Sequence, residues 1–242
     1  MVISGAPRLA SKRTFGDVWL IIPVYNEAPV VAGVVTEALR TFPNVVCVDD
    51  GSVDGSQDEV ARTGAHLVQH PVNLGQGAAI QTGLHYALSQ PGAERFVTFD
   101  ADGQHRVEDV ITMLAVARAR GADVVLGSRF LRPGGERVEV PWAKRLVLRT
   151  AAAVSPTARR LKLSDAHNGL RLFNRTAAAR VNITMNGMAH ASEITGFLAR
   201  SDLSVVESPV SIRYTDYSRA KGQSLLNGVN ILFDLSLNRE KG

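Results

Sequence analysis

Short apolar, β-branched runs alternate with segments of helical periodicity through the first half of the chain. The apolar runs are Val18 to Val24, Val45 to Val48, Ala65 to Val68, Phe96 to Phe99 and Val124 to Leu126. The helical patterns between them are Val30 to Arg40, Ser56 to Thr63, Gly77 to Leu88 and Val107 to Ala119. This alternation predicts an α/β fold with a mostly parallel central sheet and helices on both faces.

The second half of the chain is less regular. Its patterns predict a basic helix from Trp142, a strand at Gly169 to Phe173, helices at Arg175 to Val181 and Ala189 to Arg200, a strand at Leu203 to Val206 and an amphipathic helix at Leu225 to Leu237. The length of 242 residues fits one compact domain. We therefore expect a single domain over 17–242, preceded by a flexible extension over 1–16.

Composition and cysteine usage restrict the class of protein. With 45% hydrophobic and 21% charged residues, the chain is typical of a globular protein and not of a disordered or fibrous one. Cys47 is the single cysteine, so no internal disulfide forms, and its apolar neighbours indicate a buried strand thiol in a reducing compartment. We find neither a signal-peptide pattern nor an apolar stretch of membrane-spanning length, and we expect a cytoplasmic protein.

Positive charge is concentrated in one segment. Residues 129–162 contain nine Lys and Arg and two Glu, a net charge of +7, whereas the whole chain carries only +4. Such asymmetry indicates an anionic partner, whether a phosphate group, a lipid surface or nucleic acid, although a solvated basic face would show the same pattern. Trp142 among the cations of its helix suits a membrane interface, and it suits a buried core position equally.

Acidic loops follow the predicted strands at the edge where open α/β sheets bind ligands. Asp49 and Asp50 follow the second strand and begin the motif Asp-Asp-Gly-Ser-Val-Asp-Gly-Ser, in which Asp54 or Ser56 would also suit a helix N-cap. Asp100 and Asp102 follow the fourth strand in Asp-Ala-Asp-Gly-Gln-His. Mg²⁺ takes oxygen ligands from one or two carboxylates and substrate phosphates, so the second motif predicts a diphosphate-bound cation, or else a capped turn.

The order and spacing of five motifs resemble those of the inverting family 2 glycosyltransferases of the GT-A (nucleotide-diphospho-sugar transferase) fold. The motifs are Pro-Val-Tyr-Asn-Glu, Val-Asp-Asp-Gly-Ser-x-Asp-Gly-Ser, Asn-Leu-Gly-Gln-Gly, Asp-Ala-Asp-Gly-Gln-His and Gly-Ser-Arg. The resemblance is strongest to the dolichol-phosphate mannose synthases and polyprenyl-phosphate sugar transferases. It implies transfer of a sugar from a nucleoside-diphosphate sugar, with Mg²⁺ or Mn²⁺ as cofactor and inversion at the anomeric carbon.

The resemblance also implies roles for individual residues. Contacts to the nucleotide sugar would come from Pro23, Tyr25, Glu27, Asp50, Asp100, Ala101, Asp102, Gln104 and Arg219, with Asp50 on the base. The metal would be held mainly by Asp102, with Asp100 and Gln104 beside it. Arg219 would close over the diphosphate. The catalytic residues that the resemblance implies are Asp100, Asp102, Arg129 and Arg219.

On the acceptor side, the resemblance places Arg129 and Arg145 near the acceptor phosphate and Asp165 beside it. A polyprenyl phosphate is already an anion and needs no general base, whereas a sugar hydroxyl would need Glu193 or Asp165 to take its proton. Glu193 suits a structural hydrogen bond better than the role of a base, and His190 suits a buried supporting role. We expect a lipid-linked phosphate acceptor in cell-envelope glycan synthesis and peripheral attachment to the inner face of an anionic membrane. We expect no nucleic acid partner. A homo-oligomer or a membrane partner protein is compatible with this prediction.

Two departures from the family pattern leave the donor open. Gln76 replaces the Lys of many relatives in Asn-Leu-Gly-Lys-Gly, and Leu225 replaces a Lys of the mannose synthases, so a GDP-mannose donor does not follow. Two other functions stay open as alternatives. A sugar nucleotidyltransferase would have a Gly-rich basic loop in place of Tyr25-Asn26-Glu27, and a non-catalytic sugar-nucleotide-binding module would not need Asp100, Asp102 and Arg219.

Overall fold

The structure is a computed structural model that describes residues 15–131, 161, 163–165, 168–187 and 189–213. Its strands are β1 Val18–Val24, β2 Asn44–Asp49, β3 His66–Gln69, β4 Arg95–Thr98, β5 Val124–Ser128, β6 Arg171–Asn174 and β7 Val205–Pro209. Its helices are α1 Val31–Leu39, α2 Ser56–Ala61, α3 Gln76–Leu88, α4 Val107–Arg120, α5 Arg175–Arg180 and α6 His190–Arg200.

The seven strands form one sheet in the order β3-β2-β1-β4-β6-β5-β7. Strands β1 to β4 pair in parallel, β5 pairs in parallel with β7, and β6 runs antiparallel to both of its neighbours, β4 and β5. The expected mostly parallel sheet is confirmed. Because β6 is reversed, its first residue lies at the edge where β4 and β5 end, which is the edge that binds ligands in open α/β sheets.

Two apolar clusters cover the two faces of the sheet. Alternate residues of β2 separate them: Val45 and Cys47 pack with α1, α2 and α4, whereas Val46 and Val48 pack with α3, α5 and α6. Helices on both faces are therefore confirmed. Burial raises the pKa of the Cys47 thiol to about 12, so this cysteine stays protonated inside the sheet, as the sequence indicates.

Most predicted element boundaries agree with the structure to within about two residues, the usual uncertainty at helix and strand ends, and the end of the last strand differs by three. The strand expected at Gly169 to Phe173 begins at Arg171, and the strand expected at Leu203 to Val206 is displaced to Val205–Pro209. The helix predicted from Trp142, the helix predicted at 225–237 and most of the N-terminal extension lie outside the described residues. No helix in the described part of the chain has the length and hydropathy needed to cross a membrane.

Glycine at position 83 allows α3 to approach β1 closely. A Cβ added to Gly83 would lie 2.4 Å from Ile21 Cγ2 and 3.2 Å from Val48 Cγ2, and both partner residues are fully buried. Gly33 in α1 is exposed, with no atom within 4 Å of its added Cβ. Alanine at position 33 therefore changes helix propensity alone, whereas alanine at position 83 changes helix propensity and core packing together.

We predict that Gly83→Ala lowers the free energy of unfolding by about 1–3 kcal/mol, because overpacking of the core outweighs the better helix propensity of alanine. Gly33→Ala, the matched control, should raise it by about 0.5–1 kcal/mol. Urea unfolding followed by circular dichroism measures both changes. Equal stabilisation by the two substitutions would contradict the close approach of α3 to β1.

Candidate functional site

The loops after β1 and β2 are joined by side-chain hydrogen bonds. The amide of Asn26 donates to Ser52 Oγ (3.0 Å), and the amide of Val53 donates to Asn26 Oδ1 (3.0 Å). The amide of Glu27 donates to Ser56 Oγ (2.8 Å). Asn26 adopts a φ of 53°, which asparagine tolerates better than most residues. The Asp-Asp-Gly-Ser-Val-Asp-Gly-Ser motif therefore holds the first loop in place, and Tyr25 is left 44% exposed at the sheet edge.

The N-cap of α2 differs from both residues that the sequence suggested. Gly55, with a φ of 89°, occupies that position and makes no side-chain capping bond. Asp54 accepts hydrogen bonds instead from the amide and hydroxyl of Ser56, the first residue of the helix, and from the amide of Ala28. The Asp54 carboxylate therefore connects the loop after β1 with the loop after β2.

Asp50 is buried and holds the Asn-Leu-Gly-Gln-Gly loop. Its Oδ1 accepts from the amide of Leu74 (2.9 Å) and contacts His70 Nδ1 (2.8 Å), and its Oδ2 accepts from the amide of Gly75 (2.7 Å). His70 continues to Thr82 Oγ1 of α3 (2.9 Å). Both carboxylate oxygens of Asp50 are thus engaged within the protein, and they hold the loop at Leu74 and Gly75.

Asp100 follows β4 and is surrounded by polar groups from three other elements. His105 Nε2 lies 2.9 Å from Asp100 Oδ2, and Gln76 Nε2 donates to Oδ1 at 3.3 Å. On its other side, a Cβ at Gly169 would lie only 2.6 Å from Oδ2, so only glycine fits there. Burial favours the neutral acid, but the positive charges of His105 and Arg171 outweigh it and hold the pKa of Asp100 below its usual value.

Asp102 differs from Asp100 in its electrostatic environment. Burial raises the pKa of Asp102, and the neighbouring charge of Asp100 raises it further, against a hydrogen bond that Asp102 Oδ1 accepts from the amide of Gln104 (3.0 Å). The negative charge of Asp102 is therefore poorly compensated, and a bound cation would compensate it. Ala101 between the two carboxylates is buried, and Gln104 is half-buried beside Asp102.

The donor set fits a cation that is shared with a ligand. Within the described residues, no group of three or more His, Cys, Asp or Glu side chains is arranged to hold a metal. Mg²⁺ commonly keeps only one or two protein carboxylates and completes its shell with substrate phosphates and water. Asp102, with Asp100 and Gln104 nearby, matches that arrangement.

Arg129 follows β5 and forms a bidentate ion pair with Asp165. Arg129 Nε and Nη2 donate to the two carboxylate oxygens at 2.7 and 2.8 Å, and the Arg129 amide donates to Oδ2 at 3.1 Å. The arginine side chain is 40% exposed, whereas that of Asp165 is only 3% exposed. Burial alone would raise the pKa of Asp165, but Arg129 holds it below the usual value, so this carboxylate is a weak proton acceptor.

Asp165 is itself anchored by β5 and β7. Glu207 in β7 accepts from the amide of Asp165 (3.0 Å) and from the amide and hydroxyl of Ser164, while Ser164 Oγ lies 2.6 Å from Ser128 Oγ. The sequence did not indicate Glu207, because the predicted strand stopped one residue before it. The Glu207 carboxylate therefore fixes the position of the Arg129–Asp165 ion pair.

Glu193 and His190 both have structural partners. Glu193 accepts hydrogen bonds from the amide and hydroxyl of Thr184 and from the amide of Met185. His190 is buried, and its Nδ1 lies 2.8 Å from the carbonyl oxygen of Gly187. Glu193 thus makes the kind of structural hydrogen bond that the sequence favoured for it. These two residues hold the segment 184–187, which lies against the start of α3 where the amide of Gly77 donates to the carbonyl of Asn186 (2.8 Å).

Three residues that received no role from the sequence act on Asp100: His105 and Gly169 lie against its carboxylate, and Arg171 acts on it through its charge. A signal for Arg171 was present, since it interrupts the apolar run Leu170, Leu172 and Phe173 in a predicted strand. The structure brings the predicted donor-side residues together at the carboxyl edges of β1, β2 and β4 and places Arg129 and Asp165 beyond β5. Arg145 and Arg219, from the same prediction, lie outside the described residues.

Comparison with known proteins gives relatives with assigned reactions. The chain is 28% identical over 238 residues to UDP-N-acetylglucosamine–dolichyl-phosphate N-acetylglucosaminyltransferase of Methanococcus voltae, covering 90% of this chain and 94% of that enzyme. It is 29% identical over 219 residues to undecaprenyl-phosphate mannosyltransferase of Micrococcus luteus, covering 86% of each.

The fold and the family follow from two further comparisons. Glucosyl-3-phosphoglycerate synthase of Mycobacterium tuberculosis, solved with Mn²⁺, UDP and glucosyl-3-phosphoglycerate, superposes with a TM-score of 0.59 at 15% identity, covering 90% of this chain and 81% of that one. The family model described as glycosyl transferase family 2 matches residues 19–181. With a GT-A sheet, paired aspartates after β4 and a family match over most of its length, the chain belongs to the family 2 glycosyltransferases.

Proposed function

We propose that this glycosyltransferase moves a sugar from a nucleoside-diphosphate sugar to a lipid-linked phosphate of the polyprenyl type. The observation that carries the proposal is the placement of Asp102 and the Arg129–Asp165 pair at one sheet edge. Only β6 separates β4 from β5, so the two groups follow strands about 10 Å apart, at about 4.8 Å per strand spacing. The two relatives named above, which match most of the chain, both act on lipid phosphates according to their names.

The donor would lie across the carboxyl edges of β1, β2 and β4. Tyr25 is exposed there and offers a ring face for a base, with Pro23, Glu27 and Asp50 around it. A divalent cation on Asp102, with Asp100 and Gln104 beside it, would neutralise charge that develops on the leaving nucleoside diphosphate. The Mycobacterium tuberculosis neighbour was crystallised with both Mn²⁺ and UDP.

Arg219 is proposed as a further contact to the diphosphate. The amide of Arg213 donates to the carbonyl of Gln104 (2.9 Å), so the chain returns to the donor side at residue 213. Arg219 follows six residues later in the sequence, and a connection of this length is compatible with the role that the family resemblance implies.

The interactions of Asp165 and Glu193, the two candidate bases, support a phosphate acceptor. Asp165 is held in an ion pair that lowers its pKa, and Glu193 is occupied by three hydrogen bonds to residues 184 and 185. A hydroxyl acceptor would need one of them to take a proton, whereas a phosphate oxygen can attack directly. The acceptor oxygen would form a bond to the anomeric carbon as the bond to the diphosphate breaks, with its electron pair passing to the nucleoside diphosphate. Arg129, together with Arg145, would hold the acceptor phosphate.

Attachment to an anionic membrane surface is part of the same proposal. The segment 129–162 carries a net charge of +7 and begins at Arg129, so its other cations follow this residue directly in the sequence. A lipid-linked acceptor requires the site to reach the bilayer surface from the cytoplasmic side, where anionic headgroups attract basic segments. A second copy of the chain or a membrane partner protein would serve the same purpose.

We predict that Asp102→Ala lowers the turnover number about a thousandfold, since a loss of about 4 kcal/mol of transition-state stabilisation has that effect. Binding of UDP and GDP, followed by isothermal titration, should depend on Mn²⁺ in the wild type and lose that dependence in the variant. Asp202→Ala is the matched control, because Asp202 is an exposed carboxylate between α6 and β7, away from the carboxyl edge. Near-normal turnover in Asp102→Ala would refute the metal assignment.

We predict that Arg129→Ala raises the KM for undecaprenyl phosphate at least about tenfold, because a charge-assisted contact to phosphate is lost, while the Kd for nucleoside diphosphate changes little. Arg180→Ala is the matched control: Arg180 is 42% exposed and also pairs with an aspartate, Asp202. The product, analysed by NMR coupling constants, should show inversion at the anomeric carbon. Normal transfer by Arg129→Ala together with an inactive Glu193→Gln would favour a hydroxyl acceptor with Glu193 as its base.

We predict that the protein sediments with vesicles containing phosphatidylserine and not with neutral phosphatidylcholine vesicles. Each basic residue near an anionic surface contributes about 1 kcal/mol, and salt screens that attraction, so binding should fall as the salt concentration rises. Transfer to vesicle-borne acceptor without any sedimentation would show that attachment needs a partner protein instead.

A further inference from the structure

A hydrogen-bond network joins β7 to the Arg129–Asp165 ion pair. Its centre is the carboxylate of Glu207, a half-buried residue that pairs with Leu126 of β5. The amide of Ser164 donates to both oxygens of Glu207 (2.8 and 2.9 Å), and the amide of Asp165 donates to Oε1 (3.0 Å). The Ser164 hydroxyl lies 3.0 and 2.9 Å from the same two oxygens. Three donors of two consecutive residues therefore bind one carboxylate.

The Ser164 hydroxyl extends the network to the end of β5. Ser128 Oγ lies 2.6 Å from Ser164 Oγ, and the amide of Phe130 donates to Ser128 Oγ (3.2 Å). A hydroxyl both donates and accepts, so Ser164 can serve the carboxylate and Ser128 together. Ser128 is fully buried and directly precedes Arg129, and Phe130 directly follows it. The backbone on both sides of Arg129 is thereby tied to Ser164.

The network fixes an arginine that is accessible to a ligand. The side chain of Arg129 is 40% exposed although two of its nitrogens donate to Asp165, whose own side chain is only 3% exposed. A long side chain loses rotamer entropy when a ligand holds it in one geometry, and affinity is higher when that cost is met before binding. Arg129 takes its orientation from Asp165, and Asp165 takes its position from Glu207. The guanidinium is therefore arranged before any ligand arrives.

A second carboxylate bridges the same part of the sheet at its opposite edge. Asp123, which directly precedes β5, accepts hydrogen bonds from Asn174 Nδ2 at the end of β6 (2.6 Å) and from the amide of Ser204 before β7 (2.8 Å). Asp123 and Glu207 thus both connect neighbouring elements through a carboxylate. They differ in what they hold, because the donors on Glu207 belong to the segment that carries the ion pair. Asp123 is therefore a structural comparison for Glu207.

We propose that Glu207, together with Ser164 and Ser128, is a positioning residue for the acceptor phosphate: it fixes the backbone of Asp165, which in turn holds the Arg129 guanidinium in one orientation. This role rests on the proposed function, in which Arg129 holds the acceptor phosphate. Glu207 acts through the ion pair. Its removal therefore weakens affinity for the acceptor and leaves affinity for nucleoside diphosphate unchanged.

Transfer kinetics with undecaprenyl phosphate as the varied substrate test this route. Glu207→Ala should raise the KM for undecaprenyl phosphate about fivefold, less than Arg129→Ala does, because Glu207 acts indirectly. In the Arg129→Ala background the same change should alter KM less than about twofold, because coupled residues are not additive. The Kd of UDP and of GDP with Mn²⁺, measured by isothermal titration, should stay within about twofold of the wild type. Equal increases of KM in both backgrounds, or no increase in either, would overturn the proposal.

Two variants separate hydrogen bonding from general stability. Glu207→Gln keeps a carbonyl oxygen for the two amides, and its NH₂ group can donate to the Ser164 hydroxyl, so KM should stay within about twofold of the wild type. Asp123→Ala is the matched structural control and should lower the melting temperature with no change in KM. A loss in Glu207→Gln as large as in Glu207→Ala, or an equal rise of KM in Asp123→Ala, would contradict a positioning role.

A milder variant keeps the test decisive if Glu207→Ala does not fold. Ser164→Ala retains both amide bonds to Glu207 and removes only the hydroxyl that joins Ser128. It should raise the KM for undecaprenyl phosphate about threefold and leave the Kd of nucleoside diphosphate unchanged. An unchanged KM in this variant would refute the network.

A measurement without ligand keeps this inference distinct from the proposed function. Urea unfolding of the wild type, Arg129→Met, Asp165→Asn and the double variant gives the coupling energy of the ion pair. That coupling should fall by about half or more when the cycle is repeated with Glu207→Ala or Ser164→Ala, since the pair then loses its support. If the wild type transfers no sugar to undecaprenyl phosphate, the proposed function fails, yet this cycle still decides whether Glu207 positions the pair. An unchanged coupling energy would show that it does not.

Discussion

Strand β6 runs antiparallel between β4 and β5, and its register sets Arg171 opposite Thr98 and Leu126. This reversal brings the segment 164–171 to the edge where its neighbours end. A parallel strand would have brought its own carboxyl end there instead. Gly169 against Asp100 and Asp165 against Arg129 both depend on this one reversal. The residues that we propose for the donor side and for the acceptor side therefore share a single structural support.

The carboxylates at this edge differ in how far neighbouring positive charges compensate them. Asp100 is balanced by His105 and Arg171, and Asp165 by Arg129, so the pKa values of both carboxyls are lowered. Asp102 has no comparable partner among the described residues, and its pKa is raised by burial and by Asp100. An added cation gains most where negative charge is poorly compensated, which supports the proposal that Asp102 is the metal ligand.

The fold was predictable because its main signals are local. Apolar runs and helical periodicity reveal buried strands and amphipathic helices without knowledge of their neighbours. The direction of β6 depends on pairing between residues about 70 positions apart, as in Thr98 with Arg171, and periodicity contains no information on it. The same reason explains why Gly55, and not Asp54 or Ser56, occupies the N-cap of α2: Asp54 and Ser56 are engaged in part by the first loop, which is distant in sequence.

The sequence predicted which residue types form the candidate site, but it did not predict most of their hydrogen-bond partners. The motifs named Asp100, Asp102, Arg129 and Asp165, and the structure brings them to one edge. They did not indicate that Asp165 binds Arg129, because the two residues are 36 positions apart. Nor did they indicate that both oxygens of Asp50 hold the loop at Leu74 and Gly75. Family motifs describe which groups are present, whereas the hydrogen bonds that occupy them depend on tertiary packing.

Some buried polar atoms near the strand that supports the site have no hydrogen-bond partner. Within the described residues, these atoms include His105 Nδ1, Arg171 Nη1 and Ser208 Oγ, which belong to segments at or beside the carboxyl edge of β4, β5 and β7. Each such group costs about 1–3 kcal/mol. The two apolar clusters on the faces of the sheet offset this loss, since they bury most of the large aliphatic and aromatic side chains away from the edge. Stability is thus supplied by the sheet faces, and the edge keeps polar groups that serve ligands better than they serve the fold.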